Sequence, residues 1–105
     1  MTVEPQWRTV PGSLFRWREW DGEFVLYDES SGDTHRLNPL GARAVMLLLA
    51  SAAGVGELSG RLATEFALEG DAELTASVDR LLLHLYGLGL IEPVAIDDGR
   101  KPDAV

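Results

Sequence analysis

A chain of 105 residues is long enough for one domain with its own core, and it needs no metal or disulfide to staple it. It has no cysteine, which excludes thiolate metal sites, redox pairs, cysteine nucleophiles and a secreted-type disulfide framework. Seventeen acidic against nine basic residues give a net charge of -8, which repels phosphate backbones and fits a basic or neutral partner better than a nucleic acid.

Residues 1–13 hold Pro5, Pro11 and Gly12 among scattered polar residues with no sustained period, and read as a loose arm in which Trp7 and Val10 pack down. The opening "MTVEPQWRTV" lacks the layout of a signal peptide, and no run approaches the ~20 apolar residues of a membrane helix, so a cytoplasmic protein without membrane contact is expected. Next come two runs rich in aromatic and β-branched residues, "LFRWREW" (Leu14–Trp20) and "EFVLYDE" (Glu23–Glu29). They are joined by Asp21-Gly22, a dipeptide suited to the positive φ angles of a type I′ turn, which predicts a tight hairpin.

"SSGD" is a second turn cluster, after which "THRLN" leaves room for a short third strand and a three-stranded meander. In that strand His35 and Leu37 point to one side and Thr34 and Arg36 to the other, a pattern that suits a sheet edge. Asn38-Pro39 is a helix-start pair: the Asn side chain caps, and proline at the first position has no donor to lose. The first helix runs through "PLGARAVMLLLAS" towards Gly54, with Leu40, Ala44, Leu47 and Leu48 on one face.

A second amphipathic helix follows in "GELSGRLATEFA", with Leu58, Leu62 and Phe66 at spacings of four. Asp71 caps a third, "AELTASVDRLLLHLY", which stops at Gly87 before the apolar "LGLIEPV". Residues 95–105 read as a disordered tail. The expected fold is α+β and winged-helix-like: an N-terminal three-stranded antiparallel meander followed by three α-helices, within residues 14–94.

On the third helix, Leu74, Val78, Leu81, Leu85 and Leu88 fall within about 80° and form the packing stripe. Leu82, Tyr86 and Leu83 lie progressively outside it, Leu83 about opposite, so either they extend the core and its rim or they line a groove for the anchor residues of a peptide. A winged helix that reads DNA is an alternative of another class, but this helix carries Glu73, Asp79 and Arg80, a poor set for phosphates or base edges. No triad spacing, phosphate loop or carboxylate cluster on one helix face points to catalysis, and His35 and His84 read as surface or rim residues rather than ligands. Asp28, Glu29 and Asp33 read as turn formers before they read as a weak metal site, and no cofactor or metal is expected.

The segment "FVLYDESSGDTHRLNPLGARAV" resembles the strand-turn-strand-Leu-Asn-helix stretch of the PqqD-like family, and "VDRLLLHLYGLGLI" resembles its closing pattern, ending in Gly89-Leu90. The likeness spans Leu14 to Glu92, and "LNPLGARAV" is similar to the subgroup found with HPr-kinase-related proteins. The resemblance implies a non-catalytic peptide chaperone, a RiPP recognition element that binds a precursor's leader segment between third strand and third helix and presents it to a modifying enzyme. The finer likeness would make that enzyme an HPr-kinase-related protein. On this chain the implied peptide-binding residues are Thr34, His35, Arg36 and Leu37 on the strand and Val78, Asp79, Leu82 and Tyr86 on the helix, with Leu83 added from the helical wheel. One departure is the glycine-rich "SAAGVGELSG", where the family commonly has an acidic residue before glycine.

An edge strand offers its outward N–H and C=O groups to another strand, and so is either a binding site or a liability that a partner covers. A structural subunit or a homodimer that covers this edge permanently is therefore a further alternative. Four backbone hydrogen bonds yield about 2–6 kcal/mol net, whereas ordering a guest costs about 1–2 kcal/mol per residue. Two or three apolar anchors at about 1.5–3 kcal/mol each must therefore supply the rest.

Overall fold

The computed structural model describes residues 4–94. From Gln6–Thr9 (β1) the chain enters a meander of Phe15–Trp20 (β2), Glu23–Asp28 (β3) and Asp33–Leu37 (β4). It continues through Pro39–Ala50 (α1), the two-residue Ala53–Gly54 (β5), Val55–Glu65 (α2), Ala72–Gly87 (α3) and Ile91–Pro93 (β6). Two three-stranded sheets result, ordered β2-β3-β4 and β5-β1-β6, and every pairing is antiparallel.

The hairpin forms as the sequence predicts. Asp21 and Gly22 both take positive φ, 56° and 81°, and the register runs from Trp20↔Glu23 to Phe15↔Asp28. At the second turn Asp28 Oδ1 accepts from the Ser30 N–H at 2.9 Å and the Asp28 carbonyl accepts from the Gly32 N–H at 2.8 Å. Asp28 is thus a turn former, but a buried one. Alternation sends Phe15, Trp17, Phe24, Leu26, His35 and Leu37 to the core face of the meander.

α1 is the central helix, burying Gly41, Ala42, Ala44, Val45, Leu47 and Leu48 against that face and the other helices. Its start is as expected: Asn38 Oδ1 accepts from the Gly41 N–H at 2.7 Å. It ends at Ala50, short of the expected Gly54, because Ala53–Gly54 leaves the helix to pair with β1. The Arg43 side chain reaches Glu65 at 2.6 Å, tying α1 to α2, and this hydrogen bond holds the Glu65 carboxyl below its ordinary value.

The stretch expected to be a loose arm contains a strand, and this corrects the reading of residues 1–13. β1 is the middle strand of the second sheet, with Trp7 opposite Ala53 on one side and Pro93 on the other. Trp7 is buried and packs at a tilt against Tyr86 of α3, ring centroids 5.6 Å apart. A four-residue strand shows no period of its own, and its partners are remote in sequence, so only assembly reveals it. Pro93 is tolerated because β6 pairs on one side alone.

The same N-terminal segment resolves the departure at "SAAGVGELSG". Gly54 caps α2 without a side chain, and Glu4 instead accepts the Gly56 N–H on Oε2 at 2.8 Å, placing a carboxylate at the positive end of the helix. A Cβ on Gly54 would collide with that carboxylate. Among the described residues no helix is long and apolar enough to cross a membrane. The expected tail, residues 95–105, lies outside the described residues.

Candidate functional site

β4 pairs with β3 alone, so the strand expected at the sheet edge is there, shifted one residue towards the N-terminus relative to "THRLN". The two-residue turn fixes which of its backbone groups are open. In such a hairpin the flanking pair Trp20↔Glu23 is hydrogen-bonded, and bonded pairs then alternate. The Glu29 N–H donating to the Leu14 carbonyl at 2.8 Å confirms that phase. Phe24, Leu26 and Asp28 therefore turn their backbone groups towards β4, to Leu37, His35 and Asp33. Thr34 and Arg36 are left with N–H and C=O groups aimed at the open edge, two donors and two acceptors.

Beside this edge α1 packs on β4, and Leu81 of α3 closes over its first turn. Gly41, in the first turn of α1, is buried, and a Cβ built there would lie 3.5 Å from Leu81 Cδ1 on α3 and 3.8 Å from Leu37 Cβ on β4. Leu37 and Leu81 thus converge over a glycine. Leu81 is half-buried, packed against the core with one side exposed. His35 points to the same side of β4 as Leu37, and its Nε2 is buried without a hydrogen-bond partner among the described residues. A further concavity of about 160 Å³ opens between Glu23, Arg36, Leu37 and Asn38 at the end of β4.

The structure brings together the four strand residues expected at the site and separates the helical ones. Thr34 and Arg36 are exposed, His35 is half-buried and Leu37 is buried at the base of the edge. Val78 and Leu82 are wholly inside the core, with no surface for a guest. Asp79, Leu83 and Tyr86 are exposed, but with Leu81 directed at Gly41 they sit about 140–160° further round the helix. Tyr86 leans instead on Trp7. The helical wall over Gly41 is therefore Leu81, which its sequence spacing assigned to the packing stripe. A wheel gives relative angles, and only the packing of α3 says which flank meets the sheet.

Among the described residues no group of three or more His, Asp or Glu side chains is placed to hold a metal ion. Another concavity, about 440 Å³, lies on α2 between Gly56, Glu57, Gly60, Arg61, Thr64 and Glu65, away from the β4 edge. It reflects two missing side chains on an exposed helix face.

The sequence profile of the family described as coenzyme PQQ synthesis protein D (PqqD) matches residues 23–91, more than half of the chain. The chain belongs to the PqqD family. The PqqD match begins at β3 and closes in β6, so it contains β4, α1 and α3, every element of the candidate site. Two solved structures share the fold with TM-scores of 0.63. One is TbiB1 in complex with the TbiA(β) leader peptide, 19% identical, covering 85% of this chain and 99% of that one. The other is the PqqD truncation of Methylobacterium extorquens PqqCD, a stand-alone RiPP recognition element, 18% identical, covering 83% of this chain and 88% of that one. No curated protein matches the sequence.

Proposed function

We propose that this PqqD-family chain is a RiPP recognition element: it captures the leader segment of a ribosomally made precursor as a fourth strand on β4, holds it for a modifying enzyme, and performs no chemistry itself. The observation that carries this reading is the open edge of β4, where Thr34 and Arg36 present two N–H and two C=O groups with no strand of this chain to pair them. PqqD membership and the likeness to a leader-bound TbiB1 and a PqqD recognition element support it.

Backbone pairing supplies about 2–6 kcal/mol, and the anchors come from apolar guest side chains on the core-facing side of β4, seated against the exposed side of Leu81. The guest-binding set is Thr34, His35, Arg36 and Leu81, with the buried Leu37 and Gly41 holding the strand and Leu81 in place. The "LNPLGARAV" stretch favours an HPr-kinase-related protein as the enzyme served, and cytoplasmic action follows from a ribosomal precursor. A pair of copies joined edge to edge through β4 would compete with the guest.

The test is a titration of the chain with candidate leader peptides, followed by backbone NMR. Thr34, Arg36 and Gly41 amides are expected to shift. Leu81→Asp removes binding at least tenfold, whereas Leu83→Asp, exposed on the opposite flank, retains it. Equal binding by Leu81→Asp in a folded protein overturns the groove.

A further inference from the structure

The outer face of the meander carries a charge opposite to that of the molecule. Arg18, Val25 and Arg36 stand in one cross-strand row and Arg16, Tyr27 and Thr34 in the next. With strands about 4.8 Å apart, Arg18 and Arg36 lie about 10 Å from one another on either side of Val25. Trp20, 70% exposed, closes the face beside Glu23. Three of the nine basic residues of a chain with a net charge of -8 are thus gathered on one sheet surface. Between the rows is a concavity of about 340 Å³ lined by Arg16, Trp17, Arg18, Val25, Tyr27 and Thr34.

Arg16 is engaged by Glu29 and Arg36 stands 3.9 Å from Glu23, while Arg18 meets no carboxylate within ion-pair distance among the described residues. Tyr27 and the arginines at this concavity, with Trp20 exposed on the same face, are residue types that dominate binding energy at protein interfaces. An exposed Trp and a half-exposed Tyr on an arginine-bearing sheet serve no packing need of this domain.

We propose that this face is a second docking surface, one that accepts an acidic segment of a partner protein. The partner is the enzyme to which the guest is delivered, and this last identification alone rests on the recognition-element reading. Charge complementarity selects the occupant: the arginine forks bind carboxylates bidentately. A nucleic acid is disfavoured because its backbone extends past this small face onto a molecule whose net charge is -8, where its phosphates are repelled, whereas a short acidic segment fits within the face. Continuity supplies the purpose. Thr34 and Arg36 show their side chains on this face and their open backbone groups on the β4 edge, so a guest strand would extend the face and lie directly beside whatever is docked there.

The test uses the full chain, isotope-labelled, with an acetylated and amidated hexaglutamate peptide as probe at low salt. Hexalysine and a twelve-nucleotide oligothymidine serve as comparisons. Hexaglutamate is expected to shift the amides of Arg16, Arg18, Val25 and Tyr27 and to quench Trp20, leaving Gly41 and Leu81 unmoved. Arg18→Glu should weaken it at least fivefold and Arg18→Gln by less, both with an otherwise native spectrum, while Leu81→Asp leaves it unchanged. That last contrast separates this surface from the leader groove. The proposal fails if hexaglutamate moves no residue of the face or binds the Arg18 variants equally well. It also fails if oligothymidine binds the face more tightly, or if the same amides shift on concentrating the chain alone, which would make a second copy the occupant.

Discussion

Each residue of β4 has two separable roles, and a proline exchange tells them apart. The Thr34 N–H points to the open edge, so Thr34→Pro removes one donor for a guest strand and no bond of the native sheet. The expected outcome is peptide binding weaker by about 0.5–1.5 kcal/mol, roughly two- to twelvefold, with a small change in the urea midpoint. His35→Pro takes the N–H that faces Leu26 and should destabilise the domain itself. Reversed results would mean the phase of the ladder is misassigned. Leu82 is the opposite kind of residue: fully enclosed, it should lose about 2–5 kcal/mol of stability on Leu82→Ala in denaturant melts. Its position off the packing stripe left core and groove both open in the sequence. The structure settles this because the true core line runs through Val78, Leu82 and Leu85, rotated from the stripe that all the leucines together define. With leucine at six positions of α3 and the turn after it, composition alone cannot set the phase.

Elements bounded by their own side chains were legible, and those bounded by distant ones were not. Asn38 and Asp71 cap α1 and α3 through contacts three residues away, so their signals are complete in a short window. The Asp21-Gly22 turn is likewise local, and it fixed the strand pairing and thereby the edge. α2 differs: its start was read to within one residue, Gly56 against the observed Val55, but the carboxylate that serves its first turn is Glu4, far off in the chain, and left no signal in "SAAGVGELSG". The Asn38 cap permits a clean prediction, because its acceptor oxygen is the only side-chain partner of the Gly41 N–H among the described residues. Asn38→Ala should cost about 1 kcal/mol of unfolding free energy. Asn38→Asp should recover most of it, since aspartate caps as well and adds a favourable charge at the helix start. Equal losses in both variants would show that the cap contributes nothing to stability.

The molecule as a whole is stitched by its N-terminal segment, which sequence reading left loose. β1 holds β5 and β6 on its two sides, Trp7 fills the space beside Tyr86, and Glu4 completes α2. Deleting residues 1–10 therefore removes a buried tryptophan, both pairings of the second sheet and a helix cap at one stroke. Removal of a buried Trp side chain alone costs about 3–5 kcal/mol, set against a total stability of about 5–15 kcal/mol for domains of ordinary size. The truncated chain is expected to be largely unfolded at 25 °C by circular dichroism, and Trp7→Ala in the full chain to lower the urea midpoint steeply without abolishing folding. α1 packs on β1 on one side and on β3 and β4 on the other, so it stands between Trp7 and the β4 edge, and the point variant, where folded, should still bind a leader peptide. A truncation that melts like the full chain would restore the loose arm and leave the second sheet without a stabilising role.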